Sequence, residues 1–170
     1  MTARELAAAL KEKFGESVLA IDARPSSLFA WIKPEAVVTA AQTMQNDLGC
    51  RYVITAGTDR RRENGTFLVS HFFSDDPDGL YIGLHAEVDG ENPTIASITP
   101  VVPAASWGER EVRDMVGVVP DGHPDPRRLV LSDDWPEDLY PLRWDVEHGV
   151  KPPPAECTFE RKPPPEGTSV

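Results

Sequence analysis

Phe67-Leu68-Val69-Ser70-His71-Phe72-Phe73 and Leu80-Tyr81-Ile82-Gly83-Leu84-His85-Ala86-Glu87-Val88 are two runs rich in β-branched and aromatic residues, joined through Asp75-Asp76-Pro77-Asp78-Gly79. Acidic residues with proline and glycine between two such runs are turn chemistry, and they predict an antiparallel hairpin. In the second run Leu80, Ile82, Leu84, Ala86 and Val88 share one face, while Tyr81, His85 and Glu87 take the other, the alternation of a half-buried sheet. With the turn placed there, His71 and His85 fall almost opposite each other. Two histidines across a hairpin can hold a metal, but a metal site also needs further ligands and an outer shell. An ordinary cross-strand polar pair needs neither, and no metal ligand is assigned.

Upstream of the hairpin, Thr2 and Glu5 form a capping-box pattern, and Leu6, Leu10 and Phe14 recur every four residues, a first helix ended by Gly15. Residues 18–22 and 27–33 read as strands, the second apolar on both parities and so covered on both faces. Pro34 opens a second helix whose apolar stripe is Val37, Ala40, Ala41, Met44 and Leu48, with Gly49 as its stop. Residues 51–57 form a third strand. Residues 59–65 are a polar turn carrying Arg60, Arg61 and Arg62, which suit an anion, a partner contact or simple solvation. Downstream, residues 89–93 turn again and 94–99 form a short strand. The fold class is therefore α+β: a mostly antiparallel sheet with two helices on one face, spanning residues 1–103.

Composition bounds what this unit does. A chain of 170 residues with a net charge of −11 has no basic surface for phosphates, which argues against nucleic acid and against an anionic membrane surface. Its apolar runs are too short for membrane insertion. No signal peptide is visible, and Cys50 and Cys157 are only two distant thiols, so a reduced cytoplasmic setting is expected. Of the 17 prolines, 13 lie at or after Pro100, so regular elements give way to irregular chain.

Residues 104–149 begin with a second capping-box pattern, Ser106 and Glu109, behind Pro103. The helix so started runs to Gly117, with Val112, Met115 and Val116 as its apolar stripe. At i,i+4 spacing Glu109 pairs with Arg113 and Arg110 with Asp114. Glu109, Glu111 and Asp114 could form an acid–base set, yet interleaved arginines favour plain ion pairs. Proline-punctuated turns follow, with residues 127–131 extended between them. Trp107, Trp135 and Trp144 either pin this arm to its own domain or mark a binding surface. Residues 150–170, with two proline triplets, are a polyproline-like tail expected to be mobile or ordered by a neighbouring chain.

Ser106-Trp107-Gly108-Glu109-Arg110-Glu111-Val112-Arg113-Asp114-Met115-Val116-Gly117, Gly122-His123-Pro124-Asp125, Arg127-Arg128 and Tyr140-Pro141-Leu142-Arg143-Trp144-Asp145 together resemble the signature of the C-type subunit of respiratory complex I, the proton-pumping NADH:quinone oxidoreductase. Val101-Val102-Pro103-Ala104-Ala105, Arg128-Leu129-Val130-Leu131 and Asp133-Asp134-Trp135-Pro136-Glu137-Asp138 look closer to the hydrogenase branch, where the N-terminal domain of the formate hydrogenlyase and hydrogenase-4 large subunit is of the same type. Gly122-His123-Pro124-Asp125 leans back to the complex I branch. Family members usually carry an aromatic residue where Val116 stands and commonly a lysine where Trp144 stands.

The resemblance implies an accessory subunit or excised domain of a membrane-associated redox complex, peripheral on the cytoplasmic face of the membrane. It implies no catalytic residue and no cofactor in this chain. Iron–sulfur clusters and the nickel–iron or quinone site are expected in partners: a large subunit, on which this chain docks, and a small iron–sulfur subunit. The docking residues so expected are Trp107, Glu109, Arg110, Glu111, Arg113, Asp114, His123, Arg127, Arg128 and Arg143. Other readings are a small cytosolic enzyme built on Glu109, Glu111 and Asp114, or an adaptor unrelated to redox.

Overall fold

A computed structural model describes residues 1–144 of the chain. The tail of residues 150–170, and the mobility expected of it, lie outside the described residues. The first helix, α1 (Ala3–Phe14), forms its capping box: Thr2 N–H donates to Glu5 Oε2 at 2.8 Å, and Glu5 N–H to Thr2 Oγ1 at 3.3 Å. Leu6 and Leu10 are buried beneath it, each such side chain contributing about 1.5–3 kcal/mol. Strands β1 (Val18–Arg24) and β2 (Ser27–Ile32) form a hairpin.

Pro34 opens a short 3₁₀ turn and then α2 (Val37–Gln42), which passes into a π turn at Thr43–Asp47. The uninterrupted helix expected here is thus broken into three geometries. Thr43 Oγ1 donates back to Thr39 O at 2.9 Å, a bond that competes with the backbone ladder where the turn widens. Val37, Ala40, Ala41 and Met44 are buried as the stripe predicts, and Leu48 is half-buried.

Strand β3 (Arg51–Arg60) is longer than its apolar run, because pairing with the next strand carries it through Arg60. The short helix α3 (Arg61–Asn64) then replaces the expected open turn. Strands β4 (Thr66–Asp75) and β5 (Leu80–Asp89) are the predicted hairpin. The five-stranded order is β1-β2-β5-β4-β3, antiparallel except where β2 lies parallel to β5, Leu28 opposite Ile82 and Ala30 opposite Leu84. Strands β6 (Thr94–Ala96) and β7 (Val119–Asp121) form a separate parallel pair.

The hairpin register corrects one expectation. Ser70 lies opposite His85, and His71 opposite Leu84. Because side chains alternate, one residue of slip sends the two histidines to opposite faces, and no metal can lie between them. Among the described residues no three His, Cys, Asp or Glu side chains stand close enough to hold a metal ion.

Phe67, Val69, His71 and Phe73 of β4 and the buried alternate residues of β5 face the core. On the opposite face Phe29, Trp31, Phe72 and Tyr81 gather around His85, whose Nδ1 lies 2.7 Å from Ser70 Oγ. A final helix, α4 (Ser106–Val116), follows a 3₁₀ turn at Pro103–Ala105 and packs on β3. Gly57 permits this approach: a Cβ there would meet Val116 and Val112 methyls at 2.7 and 2.8 Å. Among the described residues no helix is long and apolar enough to cross a membrane.

Candidate functional site

Three of the five charged residues of α4 turn inward. Glu109, Arg110 and Asp114 are all buried. The expected capping box does not form: neither Ala105 nor Ser106 caps the helix with a side-chain bond, because the 3₁₀ turn supplies its start. Glu109 instead reaches the loop after β6, where it accepts from Ser97 Oγ at 2.6 Å, Ile98 N–H at 2.7 Å and Thr99 Oγ1 at 2.6 Å. The i,i+4 ion pairs are likewise replaced, since more buried tertiary partners outcompete a solvated helix pair.

Asp114 Oδ2 gathers three successive amides, Leu129 and Val130 at 2.8 Å and Leu131 at 3.2 Å. Residues 127–131 are therefore irregular rather than extended, because three amides converge on one oxygen. Arg110 donates from Nε to Arg127 O at 2.9 Å and from Nη2 to Arg128 O at 2.8 Å, and its Nη1 lies 3.1 Å from Asp125. Asp125 also takes a two-pronged contact from Arg127, whose hydrogen bonds, with its amide and the Arg110 charge, hold this carboxyl well below the usual range. Arg113 donates to Pro126 O. His123 accepts Asp125 N–H on Nδ1 at 3.0 Å, which leaves Nε2 to donate to Ser106 O at 3.2 Å; that same nitrogen stands 3.9 Å from Glu109.

The arm closes back on the helix end. Gly117, at φ 78°, terminates α4 with its N–H on Arg113 O. Arg143 Nε donates to Val116 O at 2.7 Å, and its guanidinium lies 4.0 Å from the Tyr140 ring centre and 5.0 Å from that of Phe67. Trp144 N–H reaches Asp59 Oδ2 at 3.1 Å, while Arg62 Nη2 donates to Trp144 O at 2.8 Å. Burial alone would raise the Asp59 carboxyl, but hydrogen bonds from the Arg61 side chain and the Arg61 and Trp144 amides outweigh it and hold it at about 2. Arg60 engages Glu63 and Glu87. The three arginines of the turn thus bind their own chain.

Of the expected docking set, Glu109, Arg110, Asp114 and the His123 ring are internal, and Arg113, Arg128 and Arg143 are half-buried against the arm. Trp107, Glu111 and Arg127 are exposed. Asp59, Ser97 and Thr99 were not singled out from sequence, and their signal is proximity to the charged motif in the folded chain; Tyr140 lies within the signature but was given no role. On a helix turning about 100° per residue, Glu109, Glu111 and Asp114 point in three directions. They do not converge on a common point as an acid–base set requires. What does converge is mainly apolar: Leu142, 59% exposed, and Ile54, 46% exposed, line a groove of about 160 Å³ with Gly57, Val112, Met115 and Val116, edged by Glu111, while Trp107 of α4 is 71% exposed.

Residues 30–151 match the family described as respiratory-chain NADH dehydrogenase, 30 Kd subunit. The chain is 50% identical over 100 residues to formate hydrogenlyase subunit 5 of Escherichia coli (strain K12), covering 58% of this chain and 18% of that protein. It is 39% identical over 150 residues to hydrogenase-4 component G of the same strain, covering 86% and 27%. Against the C-type subunit of the NADH-quinone oxidoreductase of Salinispora tropica it is 34% identical over 169 residues, covering 95% and 67%. The chain thus spans 18% and 27% of the two hydrogenase-type relatives. Two solved structures share the fold: the membrane-bound sulfane sulfur reductase, an archaeal respiratory membrane complex (TM-score 0.68, 17% identity, 81% of each chain), and a trypsin-resistant fragment of Nqo5 (TM-score 0.58, 23% identity, 71% of this chain and 98% of that one).

Proposed function

The chain belongs to the family of the 30 Kd subunit of the respiratory-chain NADH dehydrogenase, and from that premise we propose that it is a cofactor-free accessory subunit, or domain, of a membrane-associated redox complex of the complex I and group 4 nickel–iron hydrogenase superfamily. It docks on the large subunit, near the small iron–sulfur subunit, on the cytoplasmic side, and supports electron transfer by holding those partners in place. Electron carriers and the reacting site belong to the partners. Identity to hydrogenase-type relatives favours the hydrogenase branch over the NADH:quinone branch.

One observation carries this reading. Arg110, Arg113 and Asp114 of α4 bind the arm, and the surface so braced presents Leu142 and Ile54 at an apolar groove, with Trp107 exposed on α4. An exposed tryptophan and an open apolar groove are the makings of a binding hot spot. The partner face is apolar at its centre and basic at its rim, matching a chain of net charge −11.

The test is co-expression with a large subunit of this type of complex from the same source, followed by pull-down. Trp107→Ser and Leu142→Asp alter exposed side chains, so each variant should keep its circular dichroism spectrum. Retention of the large subunit should fall at least tenfold, about 1.4 kcal/mol or more. Retention at wild-type strength would move the docking surface elsewhere, with Arg127 and Glu111 the next residues to change. Metal analysis of the anaerobically purified chain addresses the other half of the proposal: a stoichiometric cluster or nickel would overturn it.

A further inference from the structure

His71 lies mid-strand in β4 on the core face, 1% exposed. Its Nδ1 stands 2.9 Å from Thr55 Oγ1, which already accepts the Tyr52 hydroxyl at 2.8 Å. With the Tyr52 proton on Thr55, the threonine's own hydrogen is free for Nδ1, and the imidazole proton then resides on Nε2. Burial, with the nearby His85, keeps the ring from taking a second proton until about pH 4. Nε2 is therefore a buried N–H donor, and no acceptor among the described residues meets it. A group in that position requires a partner.

Beside it is a cavity of about 10 Å³, lined by Thr55, His71, Glu109, Val112 and Pro120 among others. That size is close to what one water needs. Glu109 accepts three hydrogen bonds, and a carboxylate has about four acceptor sites. We infer that the cavity is a single-water site, in which one buried water accepts the His71 Nε2 proton and donates to the remaining acceptor site of Glu109. Such a water links the central strand of the sheet to α4 through the same carboxylate that fastens the loop after β6. It is independent of what the chain docks on.

The ¹⁵N-labelled full chain tests this in a long-range ¹H–¹⁵N spectrum and a water-selective nuclear Overhauser experiment, alongside a high-resolution crystal structure. The expected result is a ring proton on Nε2, a cross-peak from it to a long-lived water, and a density peak within hydrogen-bond distance of both Nε2 and a Glu109 oxygen. His71→Phe should abolish the cross-peak. Thr55→Val, which keeps the ring but removes the donor to Nδ1, should populate the other tautomer. A wild-type ring proton on Nδ1 overturns the inference. So does an Nε2 proton with neither cross-peak nor density, whether or not His71→Phe folds.

Discussion

At the residue scale, Glu109 and His71 show how buried polar groups act in this chain. Glu109 satisfies two hydroxyls and one amide of the loop after β6. Glu109→Ala leaves those donors buried without their acceptor. A hydrogen bond to a charged group is worth about 1.5–3 kcal/mol, and the neighbouring donors partly relax, so a loss of roughly 3 kcal/mol is expected. For a chain of this size that lowers the melting temperature by about 6–12 °C, readable by calorimetry. A drop of a degree or less would mean that water takes over the role of the carboxylate. His71 predicts a pH dependence. Burial first, and then His85, push its pKa down from 6.5 to about 4. The unfolded chain therefore binds a proton near pH 6.5 that the folded chain refuses, so stability is full above that pH and is lost as the pH falls towards 4. The contribution is on the order of 3 kcal/mol. In denaturant titrations His71→Phe should flatten this slope; an unchanged slope between pH 6.5 and 4 would assign it to another group.

At the scale of elements, α4 and its arm form one latch. Asp114→Ala removes the acceptor for the amides of Leu129, Val130 and Leu131. The arm should open locally while the sheet persists, since local opening costs less than global unfolding. A net loss of about 2 kcal/mol raises the open population roughly 30-fold. Trypsin should then cut after Arg127 or Arg128 correspondingly faster, with the far-ultraviolet spectrum unchanged; cleavage at the wild-type rate would show that Arg110 and Arg143 hold the arm alone. Elements governed by local patterning were legible in the sequence. Thr2 and Glu5 cap α1, Pro34 starts the second helical segment, and Leu80 to Val88 alternate as predicted. Partners set by tertiary contacts were not. The spacing of Glu109 and Arg113 suits an ion pair in water, but Ser97, Ile98 and Thr99 lie closer in the fold, and nothing in the local sequence announces them. The parallel pairing of β2 with β5 is similarly invisible, since its partners are separated by two strands and two helices. The histidine register failed for a different reason: a single residue of turn length decides which face each ring occupies.

At the scale of the whole molecule, the proposed docking divides the work of association between charge and apolar surface. The net charge of −11 is spread over a surface whose arginines are largely engaged by the chain itself. A partner with a basic docking face is then drawn in by long-range attraction, which acts on the association rate. In that docking the exposed Trp107, Leu142 and Ile54 make short-range contacts that govern how long the complex lasts. On the proposed docking, raising ionic strength from about 20 to 200 mM shortens the screening length from roughly 20 to 7 Å and should slow association with the purified large subunit about tenfold. The dissociation rate should change little. Leu142→Asp should show the reverse pattern, dissociating at least tenfold faster while keeping the salt dependence of association. Both rates are accessible by surface-immobilised kinetics with the large subunit as analyte. A salt-insensitive association rate would show that the acidic surface faces solvent in the complex. A Leu142→Asp variant that changed only the association rate would show that the groove is not part of the final contact, even if the acidic surface guides the encounter.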